Sequence, residues 1–207
     1  MRDFITDPKT IEQQSMMIIE NILGQKNIDS RIKPIIKRII HTTADFDFAE
    51  ITVVSPNALA SAGEALHRGN CPIVTDTKMI AAGISRPLLE PFGSEVACFV
   101  DTEEVKELAL KKKITRSMAN IHKAAVQYPR GIYLIGNAPT ALFEIIRLVQ
   151  KGQMDPALVV GVPVGFVGAE ESKEDLMGTD LPYISTRGRK GGSPVAVAIL
   201  HALLRMI

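Results

Sequence analysis

ALVVGVPVGFVGAEESK, residues 157–173, is the stretch on which the reading of the fold turns. Its first half, ALVVGVPV, is a continuous, largely β-branched apolar run of the kind found in a strand buried on both faces. It leads into a loop with glycines at Gly161, Gly165 and Gly168, and a short helix-like segment separates that loop from STRGRKGGSP, residues 185–194. Six glycines and four cationic side chains, Lys173, Arg187, Arg189 and Lys190, fall in the two glycine loops. Glycine lets the chain turn with positive φ and lets a ligand approach the main chain, while successive N–H groups facing one way form an anion-binding concavity. The two loops point to an anionic small molecule held largely by backbone.

Working outward, the same strand-then-helix grammar recurs. ITVVS (residues 51–55) precedes Pro56, and PIVT (72–75) leads to Asp76 and a helix through Ala82. VACFV (96–100) leads to a helix opening near Asp101 or Thr102, and GIYLIGN (131–137) leads into Pro139 and a helix to Gln150. PIVT and VACFV read as buried parallel strands. Two helices come first. Asp7-Pro8 supplies an N-cap and first-turn proline for a helix to about Gln25, with Ile11, Ile18, Ile19 and Ile22 at helical spacing. A second starts near Asp29 or Ser30, takes Pro34 in or near its first turn and runs to about Thr42, with Ile32, Ile35, Ile36, Ile39 and Ile40 on one side. The pattern predicts one α/β domain over residues 1–207. Its core is a three-layer, open, mostly parallel sheet of about five strands with helices on both faces, and ligands bind beyond the carboxyl ends of the strands.

Composition narrows the function classes. With 46% hydrophobic and 23% charged residues, the 207-residue chain has ordinary globular usage and enough length for a sizeable core. A net charge of +1 is too balanced for a protein whose main partner is a nucleic-acid backbone, so basic clusters imply local anions. No signal sequence or membrane-length apolar run is visible, Cys71 and Cys98 form no metal-ligand pattern, and a reducing cytoplasm is the expected location. His41, His67, His122 and His201 show no metal-binding spacing, so no catalytic metal is expected. The glycines also miss the dinucleotide and P-loop patterns: Lys190 precedes Gly191-Gly192, where a P-loop lysine would follow its glycine.

Several residues carry two readings each. On a helical wheel His41, Arg38 and Lys37 lie opposite the isoleucines, so His41 is not a core histidine. It is either a solvated cation stabilised by the helix C-terminus or a proton donor and acceptor, with Arg38 three residues earlier able to pair a carboxylate of the same ligand. Ser15 sits in the apolar stripe of the first helix, as a small residue for close packing or as a hydrogen-bonding partner of a ligand. The turn through Asn137, Ala138, Pro139 and Thr140 is either a plain helix start or a set of free N–H groups for an acid. Lys111, Lys112 and Lys113 read as a solvated face, whereas Arg116 and Ser117 stand at a helix start.

Taken together, PxxIExxS (Pro8 to Ser15), RxIHxxxD (Arg38 to Asp45), TDTxMxxxGI (Thr75 to Ile84), TRSMAN (Thr115 to Asn120), GNAPTAL, GVPVGFVGAEESK and RGRKGGSPVAVA resemble the precorrin-8X methylmutase family, which includes the cobalt-precorrin-8 methylmutases. The resemblance covers nearly the whole chain in one order. It implies an isomerase of cobalamin biosynthesis that moves a methyl group from carbon 11 to carbon 12 of a corrinoid ring, formally a 1,5-sigmatropic shift, giving hydrogenobyrinate or cobyrinate without nucleotide, oxidant, external methyl donor or other cofactor. It implies His41 as the proton donor or acceptor and Ser15 and Arg38 as substrate contacts. On the same footing, Arg116, Ser117, Asn137, Ala138, Gly165, Phe166, Lys173, Arg187, Lys190, Gly191, Gly192 and Ser193 are expected to surround the acid side chains of the ring. The family's homodimeric assembly is expected, together with transient contact with neighbouring pathway enzymes. The C-terminal helix, rich in Ala, Val and Leu, is expected in the core or an interface, with no tail beyond Ile207 to cover a site. A noncatalytic corrinoid carrier or sensor on the same fold would keep the anion loops without needing His41. The glycine loops alone would also suit an enzyme acting on a phosphorylated metabolite.

Overall fold

The computed structural model describes residues 5–24 and 26–207. A central sheet contains β1 (Thr52–Val54), β2 (Ile73–Thr75), β3 (Val96–Ala97), β4 (Ile132–Ile135), β5 (Leu158–Gly161) and β6 (Tyr183–Thr186), in the order β1-β6-β5-β4-β2-β3. Neighbours are parallel except β1 and β6, which run antiparallel. Side-chain alternation divides the strands between two cores. Ile73, Ile132, Leu134, Leu158, Val160 and Ile184 face one layer, made by α2 (Lys33–Thr43), α4 (Ala58–His67), α5 (Lys78–Gly83), α6 (Arg86–Leu89) and α11 (Ser193–Met206). Val74, Tyr133, Ile135, Val159 and Tyr183 face the other, made by α8 (Arg116–Gln127), α9 (Pro139–Gln150) and α10 (Ala169–Met177). Beyond it α7 (Glu103–Lys112) packs on α8 through Val105, Ala109 and Ala119.

The strand order places a topological switch between β2 and β4. The chain leaves β2 toward β3 on one side and leaves β4 toward β5 on the other, which opens a crevice beyond their carboxyl ends. Helices α5 and α9 begin at that crevice, and α11 begins beside it. An outer helix, α1 (Pro8–Leu23), lies on α2, with Glu20 paired to both Lys33 and Lys37. Those two ammonium groups hold the Glu20 carboxyl down at about 2.

The structure corrects several expectations. The sheet has a sixth strand, Tyr183–Thr186: its Ser-Thr-Arg-Gly end reads as turn chemistry, yet Ser185 and Thr186 are buried and Ser185 Oγ donates to the Gly161 carbonyl at 2.6 Å. The tertiary partner overrides the local turn signal. VACFV contributes only Val96–Ala97, at the sheet edge. Helix α2 starts at Lys33, because the Asp29 carboxylate accepts from the Arg31 N–H and closes a local turn first. A short helix, α3 (Phe48–Ile51), had no sequence signal. Helix α5 begins at Lys78 with Thr77 as its N-cap, since Asp76 is engaged elsewhere. Helix α1 ends at Leu23; Gln25, its expected limit, lies outside the described residues. Of the isoleucine stripe on α1, Ile19 is buried, but Ile11, Ile18 and Ile22 are exposed.

Candidate active site

Asp76 organises the switch point. It follows β2 directly, is 1% exposed, and its carboxylate accepts from three successive N–H groups beyond β4: Gly136 at 3.2 Å, Asn137 at 2.9 Å and Ala138 at 2.8 Å. Burial raises its pKa against the opposing pull of those amides. The sequence expectation that these N–H groups meet an acid is therefore met by the protein's own side chain. Asn137 and Ala138 do not offer their N–H groups to a ligand, although the Asn137 side chain remains exposed.

Gly136 in turn lets the start of α11 come close. A Cβ at Gly136 would lie 2.9 Å from both N and Cα of Ser193. A Cβ at Gly191 would lie 2.2 Å from the Val162 carbonyl oxygen, so this loop closes against the end of β5 only without a side chain there. The Gly192 N–H donates to that carbonyl at 2.8 Å, and Gly165 N–H donates to the Arg189 carbonyl at 3.3 Å, linking the two glycine loops. Gly165 and Gly192 have φ of 155° and 122°, in the region glycine favours.

Beside Ser193 a cavity of about 340 Å³ opens between α2, α5 and α11. Arg38 and Thr42 line it from α2, Met79 and Gly83 from α5, and Ser193, Val197, His201 and Arg205 from α11. Arg38 and Ser193, both expected from sequence, thus meet in one cavity. Ser193 Oγ also lies 3.3 Å from Thr77 Oγ1, which ties α11 to the switch point. Arg38 donates to Glu12 of α1 at 3.0 Å, and that contact, with Arg205 and His41 nearby, holds the Glu12 carboxyl below its usual range. His41 is half-buried in the last turn of α2, on the side away from its isoleucines, as the helical wheel predicts. Ser15 is half-buried and donates to its own helix at the Ile11 carbonyl, 2.9 Å away.

Three expected contacts take other partners. Lys173 is fully buried, with Nζ donating to the Lys190 carbonyl at 2.9 Å and to Thr186 Oγ1 at 3.3 Å; burial pushes its pKa down to about 8. It lies beneath the second glycine loop, hydrogen-bonded to its backbone, and does not reach a ligand directly. Lys190 Nζ is engaged by Asp45 and Asp47, both at 2.6 Å, so it ties this loop to the segment after α2. Arg116, the first residue of α8, pairs with Asp101 at 3.4 Å, and Asp101 also pairs with Lys78 at 2.7 Å. That chain keeps Arg116 and its neighbour Ser117 near the start of α5, on the carboxyl edge of the sheet. Arg187 is exposed; Phe166 is 84% exposed, with Arg189 over its ring at 5.7 Å.

Sequence reasoning missed Asp76, Thr42, Met79, His201 and Arg205 as parts of the site. Asp76 carried a signal, being a carboxylate placed directly after the apolar run IVT. His201 and Arg205 carried one too: Ser193, Val197, His201 and Arg205 recur at four-residue intervals, a single face of α11. That helix is indeed core on its other side, through Val195, Ala196, Ile199, Leu200 and Leu203. His201 Nε2 accepts the Ser85 N–H at 3.0 Å, and burial, with Arg205 and Arg38 nearby, lowers its pKa. It is a neutral ring in the cavity wall. The arrangement offers guanidinium groups and hydroxyls at the rim of apolar walls, chemistry suited to a flat ligand bearing carboxylates. Among the described residues no group of three or more His, Cys, Asp or Glu could hold a metal ion.

Comparison with known proteins agrees with this geometry. The family model described as Precorrin-8X methylmutase matches residues 10–206. The chain is 48% identical to the cobalt-precorrin-8 methylmutase of Methanothermobacter thermautotrophicus, covering 95% of this chain and 92% of that protein. It is 45% identical to the cobalt-precorrin-8 methylmutase of Leptospira interrogans, covering 99% and 96%. The crystal structure of a precorrin-8X methyl mutase from Thermus thermophilus superposes with a TM-score of 0.86 at 36% identity, over 95% of this chain and 96% of that one. With the sheet, the loops and the sequence matching along almost their whole length, the chain belongs to the precorrin-8X methylmutase family.

Proposed function

We propose that this chain takes precorrin-8X or cobalt-precorrin-8, moves its methyl group from carbon 11 to carbon 12, and uses His41 as the group that gives or takes the accompanying proton. Family membership makes the chain a methyl-shifting isomerase of cobalamin biosynthesis; the substrate form and the residue roles are our reading. The observation that carries it is the convergence of Arg38 and Ser193, from opposite ends of the chain, on one cavity; half-buried His41 does not line that cavity itself but precedes Thr42, which does.

In this reading Arg38 exchanges Glu12 for an acid side chain of the ring, a swap of one carboxylate for another that costs little in charge. Met79, Val197 and Ala198 supply apolar wall. Binding fixes the ring so that the migrating methyl faces its acceptor carbon, and His41 favours the rearranged tautomer by giving the ring a proton at one position and taking one back from another, which leaves enzyme and ring with their original proton counts. Because the reaction is a rearrangement, atoms and electrons balance within the ring and no cofactor takes part. Ser15, Arg116, Ser117, the Asn137 side chain, Phe166 and Arg187 complete the surround.

A homodimer belongs to the same proposal. Met17, Ile18 and Ile22 on α1 are 58%, 59% and 48% exposed, an apolar stripe that a second copy would cover. A cytoplasmic location fits two free thiols, Cys71 and Cys98, and no helix among the described residues is long and apolar enough to cross a membrane. Transient contact with neighbouring pathway enzymes completes it.

The test is His41→Ala, followed by visible absorption titration with hydrogenobyrinic acid and by turnover of the matching precorrin. Retained binding with turnover lost is the expected result. Turnover at the wild-type rate would remove His41 from the mechanism, and binding without any conversion by the wild type would make the chain a carrier or sensor.

A further inference from the structure

We infer that the buried ammonium of Lys173 is the fixed counter-charge for an acid group of the substrate held at the second glycine loop, a positioning residue that acts through the loop and not by contact. The inference rests on the corrinoid reading above and assigns Lys173 a role within that site. Lys173 is 0% exposed on α10, and its two acceptors, the Lys190 carbonyl and Thr186 Oγ1, are both neutral. Thr186 Oγ1 donates to the same carbonyl at 2.8 Å, so the ammonium sits one hydrogen bond behind the loop's backbone. Among the described residues no carboxylate hydrogen-bonds it, and Glu170 acts on it only from longer range.

A lysine buried without an ion partner weakens a fold, and an apolar side chain of similar length would serve packing better. A neutral amide would serve the two hydrogen bonds. Positive charge is what only lysine adds here. The loop's own cations do not supply a fixed, buried charge: the Lys190 ammonium is engaged by Asp45 and Asp47, and Arg187 and Arg189 are exposed, Arg189 lying 3.9 Å from Glu170. Behind the loop the charge lies in a medium of low dielectric, where its field reaches an anion on the far side with little screening. The N-terminus of α11, a helix of 14 residues with Gly192 as its N-cap, opens at the same loop and brings the positive end of its dipole there. The bare charge is unfavourable in the empty protein and favourable once a carboxylate arrives.

Lys173→Met and Lys173→Gln test this against a purely structural brace. Three quantities are read: the melting temperature of the ligand-free protein, the Kd for hydrogenobyrinic acid, and kcat and KM on the precorrin. Both variants are expected to melt at or above the wild type and to bind the acid on the order of tenfold more weakly, with the loss in KM and not in kcat. Affinity within about twofold of wild type in either variant would overturn the inference, since charge would then be dispensable. So would weaker binding accompanied by a lower melting temperature, or failure of both variants to fold, because either result makes Lys173 a brace. A wild type that does not bind the acid at all would instead remove the corrinoid reading.

Discussion

Replacing Asp76 with alanine is expected to destabilise the protein by roughly 2–6 kcal/mol, and the figure follows from which amides lose their acceptor. The carboxylate accepts from Gly136, Asn137 and Ala138. Asn137 is exposed and can turn to water, whereas Gly136 and Ala138 are buried and each loses its acceptor at about 1–3 kcal/mol. Removing a buried charge gives part of this back, because burial already raises the Asp76 pKa, which places the result toward the lower half of the range. Asparagine should cost less, about 1–3 kcal/mol: one oxygen can serve Asn137 and Ala138, but its amide then faces the Gly136 N–H, donor against donor. Urea unfolding followed by circular dichroism, with an unchanged m-value, is the assay. The functional consequence should be larger than the stability change suggests, because Gly136 sets the position of Ser193 in the cavity wall. A loss below about 1 kcal/mol for Asp76→Ala would refute the claim that this carboxylate holds the switch point together.

Two further outcomes follow from packing. Gly191→Ala places a methyl 2.2 Å from the Val162 carbonyl oxygen, so the loop must move; a melting temperature lower by several degrees and weakened corrinoid binding are expected, and a variant unchanged in both would contradict the close approach. For the proposed homodimer, the wild type should sediment as a dimer and Ile18→Asp, which puts a charge in the exposed stripe of α1, as a monomer with little change in fold; a monomeric wild type would refute the dimer, and a variant that stays dimeric would place the interface elsewhere.

What could be read from sequence is what local chemistry controls. Pro139 to Gln150 is a helix with the bounds its turn signal and periodicity predict, and helices open after Thr102 and at Arg116, close to where the sequence placed their starts. The strand-then-helix order alone implied a mostly parallel sheet with helices on both faces and placed the glycine loops at its carboxyl edge. The isoleucine wheel of α2 correctly put Arg38 and His41 opposite the core. The seven motifs, in one order over nearly the whole chain, were sufficient to indicate the family.

The tertiary structure decided what each polar group does. Nothing near Lys190 in sequence reveals that Asp45 and Asp47, well over a hundred residues earlier, engage its ammonium, nor that the N–H groups after β4 are taken by a carboxylate from the end of β2. YIST reads as the start of a loop until β5 and β1 flank it, and the apolar face of α1 looks like core until α2 proves to cover only part of it. Periodicity, capping and turn preferences act within a window of a few residues and are therefore written in the sequence itself. Burial, ion pairing and the choice between solvent and ligand depend on which distant segments meet, and chain folding alone brings those together.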